Sequence, residues 1–478
     1  MATHENFIVA VELGSSKVSA VAGEKQPDGA VRILAFAQEP SETFIRKGRI
    51  YNIDKFGQCL SRLKEKLERG VGMSVAKAYV GIGGMGMHTI LNSITKQYPD
   101  RVKVTEQMID VLQDENNGSQ PIDRDIIGVV PQEYKLDAHR TDDPVGILTQ
   151  SLTGNFLNIV AAAQTKQQII DNFAQCRIEV VDLPVTFLSL ADNMVSARQR
   201  QSGCVFVDMG AQTTSVAIFK GGLLRHLAVI PLGGGNITTD IATAYQIDEA
   251  EAEEIKLKYN FGMEYIDEED KEIFTTSDGR EYPLNDLKKL VSARLEEIIL
   301  NVKYQIDLSQ YKLSQLMSGI VLTGGVAKTG GIDSAFKLVT DIQSPVLVSR
   351  GLKLTYRTGK QDFNKDGSYD CAISLIDKGN ENCCGGPVVR PTDIFSPQIK
   401  PEKPAEQPVT PADPQKPATS TVSEDGRIRG GDIATGMAQE KETTAEEQPK
   451  KTSKLKAGLG RLANWAKGGL TKLVSEDD

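Results

Sequence analysis

The sequence predicts an α/β fold made of two related halves facing a ligand cleft, and three observations predict it. First, four apolar, β-branched runs end in glycine: FIVAVELG (7–14), KAYVGIGG (77–84), CVFVDMG (204–210) and GIVLTGG (319–325). Continuous apolar character fits strands buried on both faces of a sheet. Second, helical stretches at 54–69, 165–176, 284–306 and 332–340 alternate with them. Third, the chain echoes itself. Aligning Val9–Gly14 with Val205–Gly210 superposes Glu12 on Asp208 and Gly14 on Gly210. In both copies a small polar tract follows (Ser15-Ser16-Lys17; Gln212-Thr213-Thr214), then a second apolar run (VSAVAG; SVAIF).

Each copy reads as a hairpin with a carboxylate and a glycine at its tip. Glycine lets backbone N–H groups approach oxygen atoms, and serine and threonine hydroxyls add donors, so such tips suit phosphate. A carboxylate at a strand end holds magnesium, usually through water. One tip alone is no more than a β-turn. Two equivalent tips and a third glycine-ended strand, Leu322-Thr323-Gly324-Gly325, point to a nucleotide held between halves.

Composition narrows the rest. A chain of 478 residues suggests roughly two to four domains. Its net charge of −9 argues against a nucleic-acid coat, so no nucleic-acid partner is expected. Residues 1–25 carry Glu5, Glu12 and Glu24 and lack the basic-then-apolar pattern of a secretory signal. No apolar run is long enough to span a bilayer as a helix. The cysteines (Cys59, Cys176, Cys204, Cys371, Cys383, Cys384) form no CxxC pair, and buried thiols in a reducing cytosol are expected. His4, His88, His139 and His226 show no ligand spacing, so no zinc site is expected.

The motifs resemble those of the actin-like ATP-binding superfamily, and within it the FtsA family of bacterial cell-division proteins. VAVELGSSKV (9–18) looks like the first phosphate motif, FVDMGAQTTSVAIF (206–219) like the second, and GIVLTGGVAKTGGI (319–332) like the adenosine motif. VIPLGGGNITTDIA (229–242), EAEEIK (251–256) and VVPQEYKLDAHRTDDPVGI (129–147) resemble stretches peculiar to FtsA. The resemblance implies an actin-like duplicated ATPase fold with ATP and Mg2+ as cofactors. It implies a first half at 1–82, 164–198 and 346–390, with an inserted subdomain at 83–163. The second half would occupy 199–230 and 308–345, with a small subdomain at 231–307.

Carried over by position, Gly14, Ser15, Ser16 and Lys17 would meet the phosphates from one side and Gly210, Ala211, Gln212 and Thr213 from the other. Glu12 and Asp208 would reach magnesium through water. Gly233, Gly234 and Gly235 would lie near sugar and phosphate, Glu253 and Lys256 would flank ribose and adenine, and Gly324, Gly325 and Val326 would pass the nucleoside. Read on their own, Glu253 and Lys256 are a solvated ion pair one helical turn apart. The resemblance further implies self-association into filaments and binding of the C-terminal peptide of FtsZ at 231–307, where 260–283 is markedly acidic. The inserted subdomain would contact neighbouring subunits and later division proteins.

Departures from the family pattern bear on catalysis. The first motif has Glu12 where aspartate is usual. The second has Ala211 and Gln212 where glycines are usual, and Ser215 where an acid is usual. Leu183 stands before Pro184 where the superfamily often places Glu or Gln. A serine and a leucine cannot act as a carboxylate base or orient water. ATP binding with slow or undetectable hydrolysis is therefore expected. Two rival functions share the fold: a small-molecule kinase, which needs a cleft carboxylate for its acceptor, and an actin-like pilus-assembly scaffold.

The tail is a different polymer. Between 391 and 452 there are nine prolines, and no aromatic residue occurs from Ser396 to Asn464. Such a stretch buries too little apolar area to offset chain entropy, so a disordered linker is expected over 391–450. As a coil it would reach ~45 Å. An amphipathic helix is expected over 451–474. At 100° per residue Leu455, Leu459, Leu462, Leu470 and Leu473 share one face, with Trp465 at its edge. Lys454, Lys456, Arg461, Lys467 and Lys472 occupy the flanks and far side. Four glycines weaken this helix by about 1 kcal/mol each in water, so it would form where burial compensates. A peripheral attachment to the inner face of the cytoplasmic membrane at the division site is expected, and it also matches the family's membrane-targeting helix.

Overall fold

The computed structural model describes residues 7–119, 121–263, 271–349 and 351–387. The expected linker and amphipathic helix, with all their residues, lie outside them, as do 264–270 of the acidic stretch.

Two sheets carry the architecture. The six-stranded sheet runs in the order Glu179–Asp182, Lys77–Gly81, Phe7–Leu13, Lys17–Lys25, Val31–Pro40, Tyr356–Thr358. The nine-stranded sheet runs His139–Thr141, Arg124–Leu136, Leu148–Ala162, His88–Lys103, Leu223–Ile230, Thr214–Lys220, Cys204–Met209, Ile320–Thr323, Val346–Val348.

Five strands of each sheet repeat one pattern. Phe7–Leu13 is antiparallel to Lys17–Lys25, with Glu12 opposite Ser19, and parallel to Lys77–Gly81, with Glu12 beside Gly81. Cys204–Met209 is antiparallel to Thr214–Lys220, with Asp208 opposite Ser215, and parallel to Ile320–Thr323, with Asp208 beside Thr323. The echo in sequence is thus an equivalence of register. All four strands end before the closing glycine of their runs, two of them by more than one residue. The strand expected over 77–84 stops at Gly81 and that over 319–325 at Thr323. Gly84 (φ +104°) and Gly324 (φ +94°) take left-handed backbone, which a strand cannot continue through.

The helices fall where periodicity places them. Ile53–Val71 starts at Asn52, whose side chain accepts from the Lys55 N–H, and ends at Gly72 with φ +80°. It buries Phe56, Cys59, Leu60, Leu63 and Leu67 at helical spacing. Leu284–Leu308 follows Pro283 and buries Leu287, Val291, Leu295, Ile298, Val302 and Ile306 under the second half.

Residues 88–162 extend the second half's sheet rather than the first's. The joint is a single residue pair, Ala228 opposite His88. Beside it, Arg225 Nη1 donates to Gln132 Oε1 and Glu133 Oε1, each at 2.9 Å. Helix Glu106–Asn117 covers this extension over a small core of Val104, Leu112, Tyr134, Leu136, Leu152 and Phe156. Under it lies a buried amide cluster. Asn116 Oδ1 accepts from Asn92 and Asn158, while its own Nδ2 donates to Asn158 Oδ1 at 2.8 Å.

Candidate nucleotide cleft

The two hairpin tips face one cleft of about 1520 Å³. Glu12 and Asp208 reach it from equivalent positions near the ends of the two central strands. Burial pushes the Glu12 carboxyl up to about 8, the nearby Asp208 adds to this, and Lys17 opposes it. Burial likewise pushes Asp208 up to about 6. Two buried carboxyls whose ionised forms are disfavoured by their surroundings are where a cation is electrostatically favoured. Among the described residues no group of three or more His, Cys, Asp or Glu side chains forms a metal cluster. Glu12 and Asp208 are the residues that would hold a magnesium ion here, through water, since Mg2+ keeps several of its waters.

Close approach explains the glycines. A Cβ on Gly14 would lie 2.6 Å from Lys17 O, and one on Gly233 2.6 Å from Gly210 O. At Gly324 the φ of +94° excludes side chains for a second reason. The Gly233–Gly235 turn, however, spends its donors on the second tip. Gly234 N–H donates to Gly210 O at 3.0 Å, Gly235 N–H to Ala211 O at 2.6 Å, and Gly233 N–H to Asn236 Oδ1 at 3.0 Å. The turn therefore shapes the 210–213 loop.

Glu253 and Lys256 are joined as an ion pair at 2.5 Å. Lys256 Nζ also donates to Gly234 O at 3.2 Å and to Thr238 Oγ1 at 2.8 Å. Lys256 thereby ties helix Glu249–Tyr259 to the start of helix Gly234–Tyr245 at the cleft wall.

Of the expected residues, Glu12, Gly14, Ser15, Ser16, Lys17, Asp208, Gly210, Ala211, Gln212, Thr213, Gly234, Gly235, Glu253, Lys256, Gly324, Gly325 and Val326 all line the cleft, and Gly233 does not. Ser215 lines it too, whereas Leu183 is buried.

Among the cleft residues that escape sequence reasoning are Gly83, Gly84, Met85 and Met87 at the start of the inserted segment, and two further groups. One is Asp366, Gly367 and Ser368, beside the adenosine motif, whose Lys328 Nζ donates to Asp366 O at 2.7 Å. Only an Asp-Gly turn signal marks them. The other is the hairpin of Ile45–Arg46 and Arg49–Ile50. At its tip Lys47 (φ +49°) and Gly48 (φ +73°) are both left-handed, a type I′ geometry. Lys47 N–H donates to Gln212 Oε1 and Gly48 N–H to Ser15 Oγ, each at 2.8 Å.

Comparison with known proteins places this geometry. The profile for "Cell division protein FtsA" matches residues 205–374, and that for the "SHS2 domain inserted in FTSA" matches 84–160. Cell division protein FtsA of Escherichia coli (strain K12) is 27% identical over 405 residues, spanning 80% of this chain and 93% of that protein. Its counterpart in Pseudomonas aeruginosa is 29% identical over 376 residues, spanning 77% and 88%. Among solved structures, the PilM–PilN type IV pilus biogenesis complex superposes with a TM-score of 0.54 at 15% identity, covering 78% of this chain and 98% of that one. That last likeness is one of fold alone.

Proposed function

Since the chain belongs to the FtsA family, and is an actin-like cell-division protein, we propose that it binds ATP with magnesium in the cleft and uses it to hold the two halves together. The observation carrying this reading is the convergence of both hairpin tips and the Gly324 turn on one cleft, with Glu12 and Asp208 in equivalent register. Bound, the nucleotide supplies phosphate oxygens and a cation that both tips contact. Lys17 and the glycine-opened loops orient the phosphates. Glu12 and Asp208 would hold the cation through water, its charge favouring their ionised forms. Lys256 and Glu253 fix the wall at the nucleoside end.

Hydrolysis is slow, because Ser215 lines the cleft where an acid would be needed and Leu183 is buried away from water. Turnover of the purified chain with MgATP falls far below the enzyme median of ~10 s⁻¹; a rate near that median overturns the clamp role. The closed form favours self-association, and the tail brings the assembly to the cytoplasmic face of the membrane at the division site. There the 231–307 subdomain binds the C-terminal peptide of FtsZ, and the inserted subdomain meets neighbouring subunits and later division proteins. Immobilised FtsZ tail peptide retains the full chain while a scrambled peptide does not. Equal retention on both removes FtsZ from the reading.

A further inference from the structure

The Lys47–Gly48 hairpin touches three things at once. Its two N–H groups donate to Gln212 Oε1, from the second half, and to Ser15 Oγ, from the first. It also meets the stem of the inserted segment, whose Gly83, Gly84 and Met85 line the same cleft. Met85 N–H donates to Lys47 O at 2.7 Å, and a Cβ on Gly48 would lie 2.4 Å from the Gly84 Cα. A Cβ on Gly84 would lie 2.4 Å from Gly48 O. The two glycines are in backbone-to-backbone contact that no side chain fits. From the stem, Gly86 O accepts from Arg124 Nη1 at 2.8 Å, and Met87 O accepts from Val229 N–H at 3.0 Å. His88 then makes the single-pair joint to the second half's sheet.

The chemistry at the cleft end is directional. Ser15 Oγ and Gln212 Oε1 are acceptors toward the hairpin, which leaves the serine hydroxyl proton and the glutamine NH2 as donors. An anionic oxygen between the tips takes both donors. Charge-assisted bonds are shorter and stronger than neutral ones, and hydrogen bonds in series polarise one another. A phosphate there strengthens both bonds to the hairpin. The hairpin is a two-residue I′ turn, stiff enough to pass a displacement on to Gly84.

We propose that the Lys47–Gly48 hairpin relays phosphate occupancy of the cleft to the stem of the inserted subdomain, with Gln212 as the positioning residue that draws the second half into the relay. This rests on the nucleotide reading above for its ligand. It also gives Gln212, an oddity in a loop usually built of glycine, a task.

Amide hydrogen exchange of the full-length chain, with and without MgATP, tests it, ATP binding being followed separately. In the wild type, saturating ATP slows exchange across 83–90 by at least about fivefold. Gly84→Ala separates stem from hairpin, binds ATP and loses that slowing. Gln212→Gly removes the acceptor for Lys47 N–H and raises exchange across 83–90 even without ligand. Gln212→Glu keeps an acceptor, so ligand-free exchange there stays at the wild-type level, while its carboxylate repels phosphate and weakens ATP at least about tenfold. The relay is overturned if the wild type binds ATP with no change across 83–90, or if Gln212→Gly exchanges there like the wild type. A wild type that binds no ATP overturns the nucleotide reading instead, while the ligand-free Gln212 comparison still decides whether the hairpin holds the stem. If Gly84→Ala fails to fold, the two Gln212 variants still decide.

Discussion

At Gly324 the chain turns with φ +94°, and a Cβ there would sit 2.4 Å from Met209 O and 2.5 Å from Asp208 Oδ1. Its neighbour Gly325 has φ −61° and open space where a Cβ would go. Chemical denaturation of the ligand-free protein should therefore separate two identical substitutions. Gly324→Ala costs ~1–3 kcal/mol or more from strained backbone. Gly325→Ala is neutral or stabilising by ~0.4–1 kcal/mol through the unfolded chain. His226 behaves differently, through charge. Burial lowers its pKa from the usual 6.5, and nearby His88 adds to this while the Gln305 contact opposes it. A base with a depressed folded pKa contributes stability that is complete above its unfolded value and lost as pH falls. Denaturation midpoints should drop as pH goes below about 6.5. His226→Gln should flatten that drop relative to the wild type, and parallel profiles would remove His226 as its source.

Among elements, the amide cluster beneath helix Glu106–Asn117 is the most exposed to a single change. Asn116 and Asn158 are buried, and Asn116→Ala leaves the amides of Asn92 and Asn158 without their partner. A buried polar group stripped of its bond costs ~1–3 kcal/mol. Faster amide exchange in 106–117, with the 284–308 helix unaffected, would be the signature. Elements also show what a sequence reveals. Helix Ile53–Val71 was legible because Asn52, Gly72 and the apolar spacing all agree. The central hairpins were legible because duplication printed the same residues twice. The extension of the second half's sheet by 88–162 was not, since its joint is one pair, Ala228 with His88, and long-range pairing leaves no local pattern. The Gly48–Gly84 contact was invisible for the same reason. So was the use of the Gly234 and Gly235 N–H groups inside the protein, which the glycine run alone would assign to a ligand.

For the whole molecule, the net charge of −9 conceals a basic C-terminal segment at the end of a proline-rich stretch. Each basic residue near an anionic leaflet contributes about 1 kcal/mol, so under the proposed tether one copy would attach reversibly. Many copies in an assembly would attach strongly by multivalency. Replacing Leu462 and Trp465 together with glutamate should move the full chain from the pellet to the supernatant when sedimented with anionic liposomes. Unchanged sedimentation would sink the tether. Among the described residues no helix is long and apolar enough to cross a membrane.

The sheets end in a way that matters for such crowding. Their inner strands are long, with 16 residues in His88–Lys103 and 15 in Leu148–Ala162. The nine-stranded sheet nevertheless stops at two strands of three residues, His139–Thr141 and Val346–Val348. The six-stranded sheet stops at strands of four and three, Glu179–Asp182 and Tyr356–Thr358. A short edge offers little template for a neighbouring chain to add to. Longer edges lie inside the nine-stranded sheet, along 125–133, which His139–Thr141 does not reach, and along 89–103, whose strand meets Leu223–Ile230 at one pair only. A neighbouring chain that added a strand would therefore meet its longest template in the 88–162 extension and not at the sheet's ends.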